Sequence, residues 1–252
     1  MVSLGHSQER VAFLLGIDAV SDLIFSTLVF MQLDKEFRIS LINSKSLKDP
    51  FSDIIEALLD TMTENEFVRN LPVVGWLLKS VSAVDNIKTK FLVSKILYFI
   101  NGMSNVSEEE LLAFENKQLS DQKSIDKFYE SLLISIDRLN HLDKSTIISS
   151  LFKSLIHCKI NEAFFLRSVN IVESIYIEDL KEYITGRLVF TNTEIHEKAN
   201  INQTYLSFGL LTSHIVTQNN ATQRVHQEAE LRFHYVYSSF GRKFLKACNY
   251  EI

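Results

Sequence analysis

His157 and Cys158 stand side by side, and a base beside a thiol can turn the thiol into a nucleophile. On a helix, adjacent side chains point about 100° apart, so the two do not readily hydrogen-bond to each other. A buried structural cysteine at a helix end is therefore the expectation for Cys158. His226 and His234, with Glu228 and Glu230 between them, could converge on an ion across a β-hairpin. No HxH, HExxH or paired-cysteine pattern supports a metal centre, and a solvated hairpin edge accounts for the same residues. Carboxylates cluster at Glu108–Glu110 and at Glu178, Asp179 and Glu182. Acid–base catalysis needs two carboxylates in different environments, whereas these fall at a helix start and on a solvated helical face. The chain has no Walker A loop, GxGxxG or GxSxG, and its glycines are scattered. The expectation is a protein without catalytic residues, cofactor, metal or small-molecule substrate.

Basic residues define two candidate contact regions. In the first, Trp76, Lys79, Lys88, Lys90 and Lys95 are set among bulky apolar residues with Asp85 as the sole acid of Asn70–Leu97. Leu71–Val84 is too short to span a bilayer. A basic, Trp-containing amphipathic hairpin of this kind suits an anionic lipid surface. It equally suits core helices whose lysine stems cover apolar flanks, and the core placement is the expectation. The second region is the tail, where Arg224, Arg232, Arg242 and Lys243, with Lys246, oppose Glu228 and Glu230 and could touch a phosphate backbone. The segment before it, "NINQTYLSFGLL", carries no Arg or Lys, although base-reading helices are usually ringed by positive charge. Contact with a protein is therefore expected ahead of contact with nucleic acid.

The elements that must position these residues read as helical. With 46% hydrophobic residues in 252, the chain can bury the core of one large domain with a small appendage. Two Pro and seven Gly suit helices better than a many-turned β fold. A formal charge of −5 argues against a surface that coats nucleic acid, and two cysteines form no disulfide framework, which suggests a reducing cytoplasm. Val11–Met31 is apolar and long, but Asp18 and Asp22 share one helical face, and each would cost roughly 2.5–3.5 kcal/mol at a bilayer centre. The stretch before it lacks the basic start of a signal peptide, so a buried helix of a water-soluble protein is expected.

Further on, "FRISLIN" (Phe37–Asn43) alternates like a short strand, and Asp49–Pro50 opens a helix through Met62. Trp76–Val84 and Ile87–Ile100 read as helices, and Ser107 caps the next. Apolar stripes then mark three longer helices: Phe128, Leu132, Leu133, Ile136 and Leu139; Ile147, Ile148, Leu151, Phe152 and Leu155; and a continuous run from Ile160 to Ile184. Short connections between them predict an antiparallel bundle. After Gly186 a strand or loop at "RLVFTNTEI" precedes a short helix that stops at Gly209, a hairpin with Leu231, Phe233, Tyr235 and Tyr237 on one face, and a last helix after Ser238–Ser239.

"FGLL" (Phe208–Leu211) and "YSSFGRKFL" (Tyr237–Leu245) resemble the end of a winged-helix domain, over about a fifth of the chain. The resemblance implies that the hairpin is a wing. Asp53 to about Leu180 is similar to a loosely defined group of uncharacterised bacterial proteins, through "LLD" (Leu58–Asp60), "LPVVG" (Leu71–Gly75), Lys95–Phe99, Ser107–Glu109 and Leu151–Phe152. That likeness implies a setting near mobile elements and phage defence.

The expected architecture is mainly α: a multi-helix bundle over 1–186 and a small winged-helix-like α+β subdomain over 187–252. The expected function is a non-enzymatic interaction or regulatory protein of a phage-defence system, cytoplasmic or peripheral to the inner membrane, with a protein partner. The alternatives are a conditionally membrane-active effector that inserts Leu71–Ile100, and DNA binding through the wing.

Overall fold

The computed structural model describes residues 33–42, 71–80, 87–185, 203–217 and 231–248. The expected helices at Val11–Met31 and Asp49–Met62, the segment 187–195, the polar tract before β2 and the boundary at 186 lie outside the described residues. The described residues form ten helices and one two-stranded antiparallel sheet, so the protein is mainly α-helical. The chain divides into two compact units, residues 1–137 and 138–252.

In the first unit, α1 (33–42) is followed by α2 (Pro72–Ser80), α3 (Ile87–Gly102), α4 (Glu108–Gln118) and α5 (Gln122–Arg138). The segment expected as a strand at Phe37–Asn43 is helical up to residue 42. Leu33, Phe37 and Leu41 recur at helical spacing and are buried, while Ile39, which completes the apparent alternation, is exposed. Pro72 occupies the first position of α2, where its missing N–H costs nothing, and the helix begins a turn earlier than Trp76. The Val73 N–H that follows finds an acceptor in the buried Ser40 hydroxyl at 3.1 Å. Ser107 and Glu110 form a full capping box at the start of α4. The core joins Leu71, Val73, Val74 and Leu77 of the α2 segment with Val93, Ile96, Leu97, Phe99 and Ile100 of α3, all buried. Each such side chain contributes roughly 1.5–3 kcal/mol on leaving water. Rings of Phe37, Phe99, Tyr129, Phe128 and Phe114 pack at centroid distances of 5.6–6.4 Å.

In the second unit, α6 (Leu142–Ile156), α7 (Glu162–Ser174) and α8 (Ile177–Ile184) lead to α9 (203–207), β1 (Leu211–Thr217), β2 (Leu231–Tyr237) and α10 (Ser239–Cys248). Helix α6 is buried along most of its length and packs against α7 and α10. The run expected to be one helix from Ile160 to Ile184 is broken at Ile175, which is extended with ψ 142°. No Pro or Gly lies there. The break is accompanied by a long-range cap: the buried Lys144 ammonium donates to the Glu173 carbonyl at 3.0 Å, near the end of α7. Burial lowers the Lys144 pKa, opposed by the nearby Glu173 charge. Two other helices end the same way. Lys95 donates to the Asp137 carbonyl near the end of α5, and Ser154 Oγ to the Ala247 carbonyl near the end of α10 at 3.0 Å. In all three the capped carbonyl belongs to the penultimate helical residue.

The tail shares its core with the helices before it. Tyr183 of α8 packs against Tyr205, Tyr237 and Phe244 at 5.3, 5.4 and 6.1 Å, and donates to the Leu210 carbonyl at 3.2 Å. Tyr205 donates to the Asp179 carbonyl at 2.8 Å. Gly209 stops α9 in the left-handed region with φ +71°. The Ser238 hydroxyl ties Gly209 to α10: it donates to the Gly209 carbonyl and accepts from the Gly241 N–H.

Burial raises the pKa of Tyr129 in the first unit and of Tyr183 and Tyr205 in the second. Below about pH 10 these phenols are neutral whether folded or not, so their contribution is fully present. Above it the unfolded chain ionises first, and stability falls by about 1.4 kcal/mol per pH unit for each tyrosine held neutral. Urea midpoints should be flat up to about pH 10 and then drop, and Tyr129→Phe should shrink the drop of the first unit only.

Candidate functional site

The two regions picked from basic residues fare differently. On α2 and α3, Trp76 and Lys90 are half-buried and Lys88 is exposed, while the side chain of Lys79 lies outside the described part. Lys95, expected at a contact surface, is 3% exposed. Its stem runs through the core to the Asp137 carbonyl, its ammonium lies 4.9 Å from the Phe91 ring centroid, and burial lowers its pKa despite the Asp137 charge. A side chain so placed acts as a helix cap and presents no charge to a ligand. Among the described residues no helix is long and apolar enough to cross a membrane.

In the tail, Arg224 lies outside the described residues, and Arg232 is placed on β2 without a described side chain. Arg242 and Lys243 lie exposed on α10. This helix is SFGRKFLKAC: Phe244 and Ala247 face inward, Arg242, Lys243 and Lys246 face solvent, and it holds no acid. That pattern is why it folds as an amphipathic helix with a basic outer side.

The fold adds a residue that sequence reading missed. Arg167 of α7 sets its guanidinium 4.1 Å from the Phe240 ring centroid and reaches the Phe208 carbonyl at 3.4 Å. Lys243 sets its ammonium 4.9 Å from the ring of Phe164, and the two rings pack at 4.6 Å. The result is a ladder of Lys243, Phe164, Phe240 and Arg167 bridging α7 and α10. Each cation–ring contact contributes about 0.5–1 kcal/mol at an exposed site and, more importantly, orders a long cationic side chain. None of Arg167, Arg242, Lys243 and Lys246 has a carboxylate within ion-pair distance among the described residues. The i, i+3 spacing of Phe164 and Arg167 is visible in the sequence, but nothing local says that Phe240 and Lys243 lie against it.

The other candidates resolve into structural roles. Cys158 is exposed rather than buried, just past the end of α6, with φ +56°. Its Sγ lies 3.8 Å from the Ile156 carbonyl, its own helix end. Cys248 is half-buried, and desolvation pushes its thiol pKa up. Across the ladder, His234 is paired with His214, whereas His226 lies outside the described residues. No group of three metal-ligating side chains occurs among the described residues. Glu110 accepts from the Ser107 N–H within the capping box. Glu178 shares Lys181 with Asp143, whose carboxylate lies 2.7 Å from the ammonium.

In the first unit the buried carboxylate of Glu115 binds Arg38 through two hydrogen bonds, 2.6 and 2.5 Å, and accepts from Tyr129 at 2.8 Å. Beside it, on α1, burial raises the pKa of Asp34 against the pull of the Lys35 N–H. This cluster joins α1, α4 and α5 and serves the core.

The described residues form a mainly helical protein with a basic, ring-backed face in its carboxy-terminal unit. Comparison with protein-family models, with curated proteins and with solved structures finds no match to this chain.

Proposed function

We propose that this is a non-catalytic interaction or regulatory protein whose carboxy-terminal unit, winged-helix-like in its helix–Gly–hairpin–helix order, presents the α7/α10 face to a protein partner in a bacterial phage-defence setting. The observation that carries the reading is the ladder of Lys243, Phe164, Phe240 and Arg167. It holds charged side chains in place on a surface where they bond to no carboxylate of the described chain, and ordered arginines and aromatics are the residue types on which interfaces depend. The resemblance of residues 53–180 supports the setting. In the membrane-active alternative the first unit has to open, because Val93, Ile96, Leu97, Phe99 and Ile100 are all buried.

A photo-crosslinking residue introduced at Lys246 in the native host tests the reading. A discrete protein adduct is expected, reduced about tenfold or more, equivalent to about 1.4 kcal/mol, by Arg167→Glu with Lys243→Glu. No adduct, or one indifferent to the double substitution, would count against it.

A further inference from the structure

We infer that the α7/α10 face docks an acidic segment of the partner, its carboxylates on Arg167, Arg242, Lys243 and Lys246 and an apolar side chain on Leu166. The inference rests on the reading above and names the chemistry of the partner.

The first support is charge. The four cations lie on α7 and α10, α10 contains no acid, and none of the four meets a carboxylate among the described residues; Arg242 also donates to the Tyr237 carbonyl at 2.6 Å, and α7 carries the acids Glu162, exposed, and Glu173. Residues 138–252 carry 13 Lys and Arg against 11 Asp and Glu, whereas residues 1–137 carry 13 against 20. The face is thus a local positive feature on a unit with little net charge. A strand of phosphates is better matched by a strongly basic surface.

The second support is the state of the rings. Proteins that hold single-stranded nucleic acid offer open aromatic faces to the bases. Here Phe240 is already engaged by Arg167, Phe164 and Phe244, and Phe164 by Lys243 and Phe240. The rings act as supports for the cations, and the cations are what a ligand would meet. Orienting the guanidinium and ammonium groups beforehand lowers the ordering cost of binding carboxylates.

The third support is the apolar neighbour. Glu162, Ala163, Leu166, Arg167, Asn170 and Ser174 form the exposed side of α7, and Leu166 is 44% exposed. A leucine beside Arg167 fits a segment that alternates acids with apolar residues, and an apolar anchor next to charge pairs gives both affinity and register.

The test uses the full chain and a short fluorescein-labelled peptide of repeating Glu-Glu-Leu-Asp units, read by fluorescence anisotropy at low ionic strength. Saturable binding is expected that weakens as salt rises, as contacts between exposed charges must. Arg167→Glu with Lys243→Glu should weaken it about tenfold or more. Because Arg167 also touches the Phe208 carbonyl, Lys246→Glu serves as the second variant: Lys246 is exposed at the end of α10, and a several-fold loss is expected there with circular dichroism unchanged. Lys88→Glu, in the other unit, should leave binding as it was. No binding by the unaltered chain, or equal binding by all variants, would overturn the inference. So would tighter binding of labelled oligo-dT that is lost in the same variants, since the ligand would then be nucleic acid. A partner that still crosslinks through Lys246 while the peptide fails would sink the acidic segment alone, whereas the absence of any protein adduct would sink the functional reading beneath it.

Discussion

Gly241→Ala should destabilise the carboxy-terminal unit by about 3 kcal/mol or more, enough to unfold a domain of ordinary stability in mild urea. Gly241 lies in the first turn of α10, where that helix crosses the chain leaving α9. A Cβ there would fall inside contact distance of both the Leu210 carbonyl oxygen and the Tyr183 hydroxyl. Neither can yield cheaply. The Leu210 carbonyl accepts hydrogen bonds from both the Tyr183 hydroxyl and the Ser238 N–H, and Tyr183 is the fully buried ring around which Tyr205, Tyr237 and Phe244 pack. The methyl must therefore push α10 off the unit or break those bonds. Gly209→Ala makes a graded control. Its φ of +71° carries a cost of about 1–2 kcal/mol, but the atom a Cβ would approach is the end of the flexible Arg167 side chain. Urea titration followed by far-UV circular dichroism should give the order Gly241→Ala well below Gly209→Ala, with the unaltered chain highest. Equal midpoints for Gly241→Ala and the unaltered chain would mean that α10 does not lie on Leu210.

The second large effect is in the other unit. Glu115→Ala is expected to cost about 3 kcal/mol, because it strands two partners at once. The Arg38 side chain is 26% exposed, so water recovers part of its charge, but the Tyr129 hydroxyl is buried and would have no acceptor. Glu115→Gln keeps an acceptor for Tyr129 and should cost nearer 1 kcal/mol. Arg38→Met combined with Glu115→Ala should recover part of the loss, since the uncompensated cation is then gone. Trp76, the single tryptophan, sits in the same unit and provides the fluorescence readout. If Glu115→Ala left that transition unchanged, the three-residue cluster would contribute nothing to the core.

Much of the helical architecture was legible from local spacing. Phe128, Leu132, Leu133 and Ile136 mark the buried side of α5, and Ile148, Leu151, Phe152 and Leu155 that of α6. Side chains three and four apart must share a face. The Ser107 capping box and the Gly209 stop are likewise contained within one turn of chain. The failures have equally specific causes. Phe37–Asn43 imitated a strand because a serine, Ser40, occupies a buried helical position and masks the 3.6-residue period. The break in the run from Ile160 to Ile184 had no Pro or Gly to announce it, and the side chain that caps the end of α7, Lys144, comes from another helix. Cys158 looked like a buried residue at a helix end, and the end was right, but the turn in which it sits points outward.

Local order in this chain, which stretches are helical and where several helices begin, is written in neighbouring residues, since the interactions that decide it span one turn. The roles of its charged residues are not. Lys95 meets Asp137 across 42 positions, Arg38 meets Glu115 across 77, and Ser154 meets Ala247 across 93. A lysine in an apolar helix reads the same whether it caps a distant carbonyl or faces solvent. Folding chose burial for Lys95 and exposure beside Phe164 for Lys243, because the first could reach an unsatisfied helix end and the second could rest on a ring while staying in water.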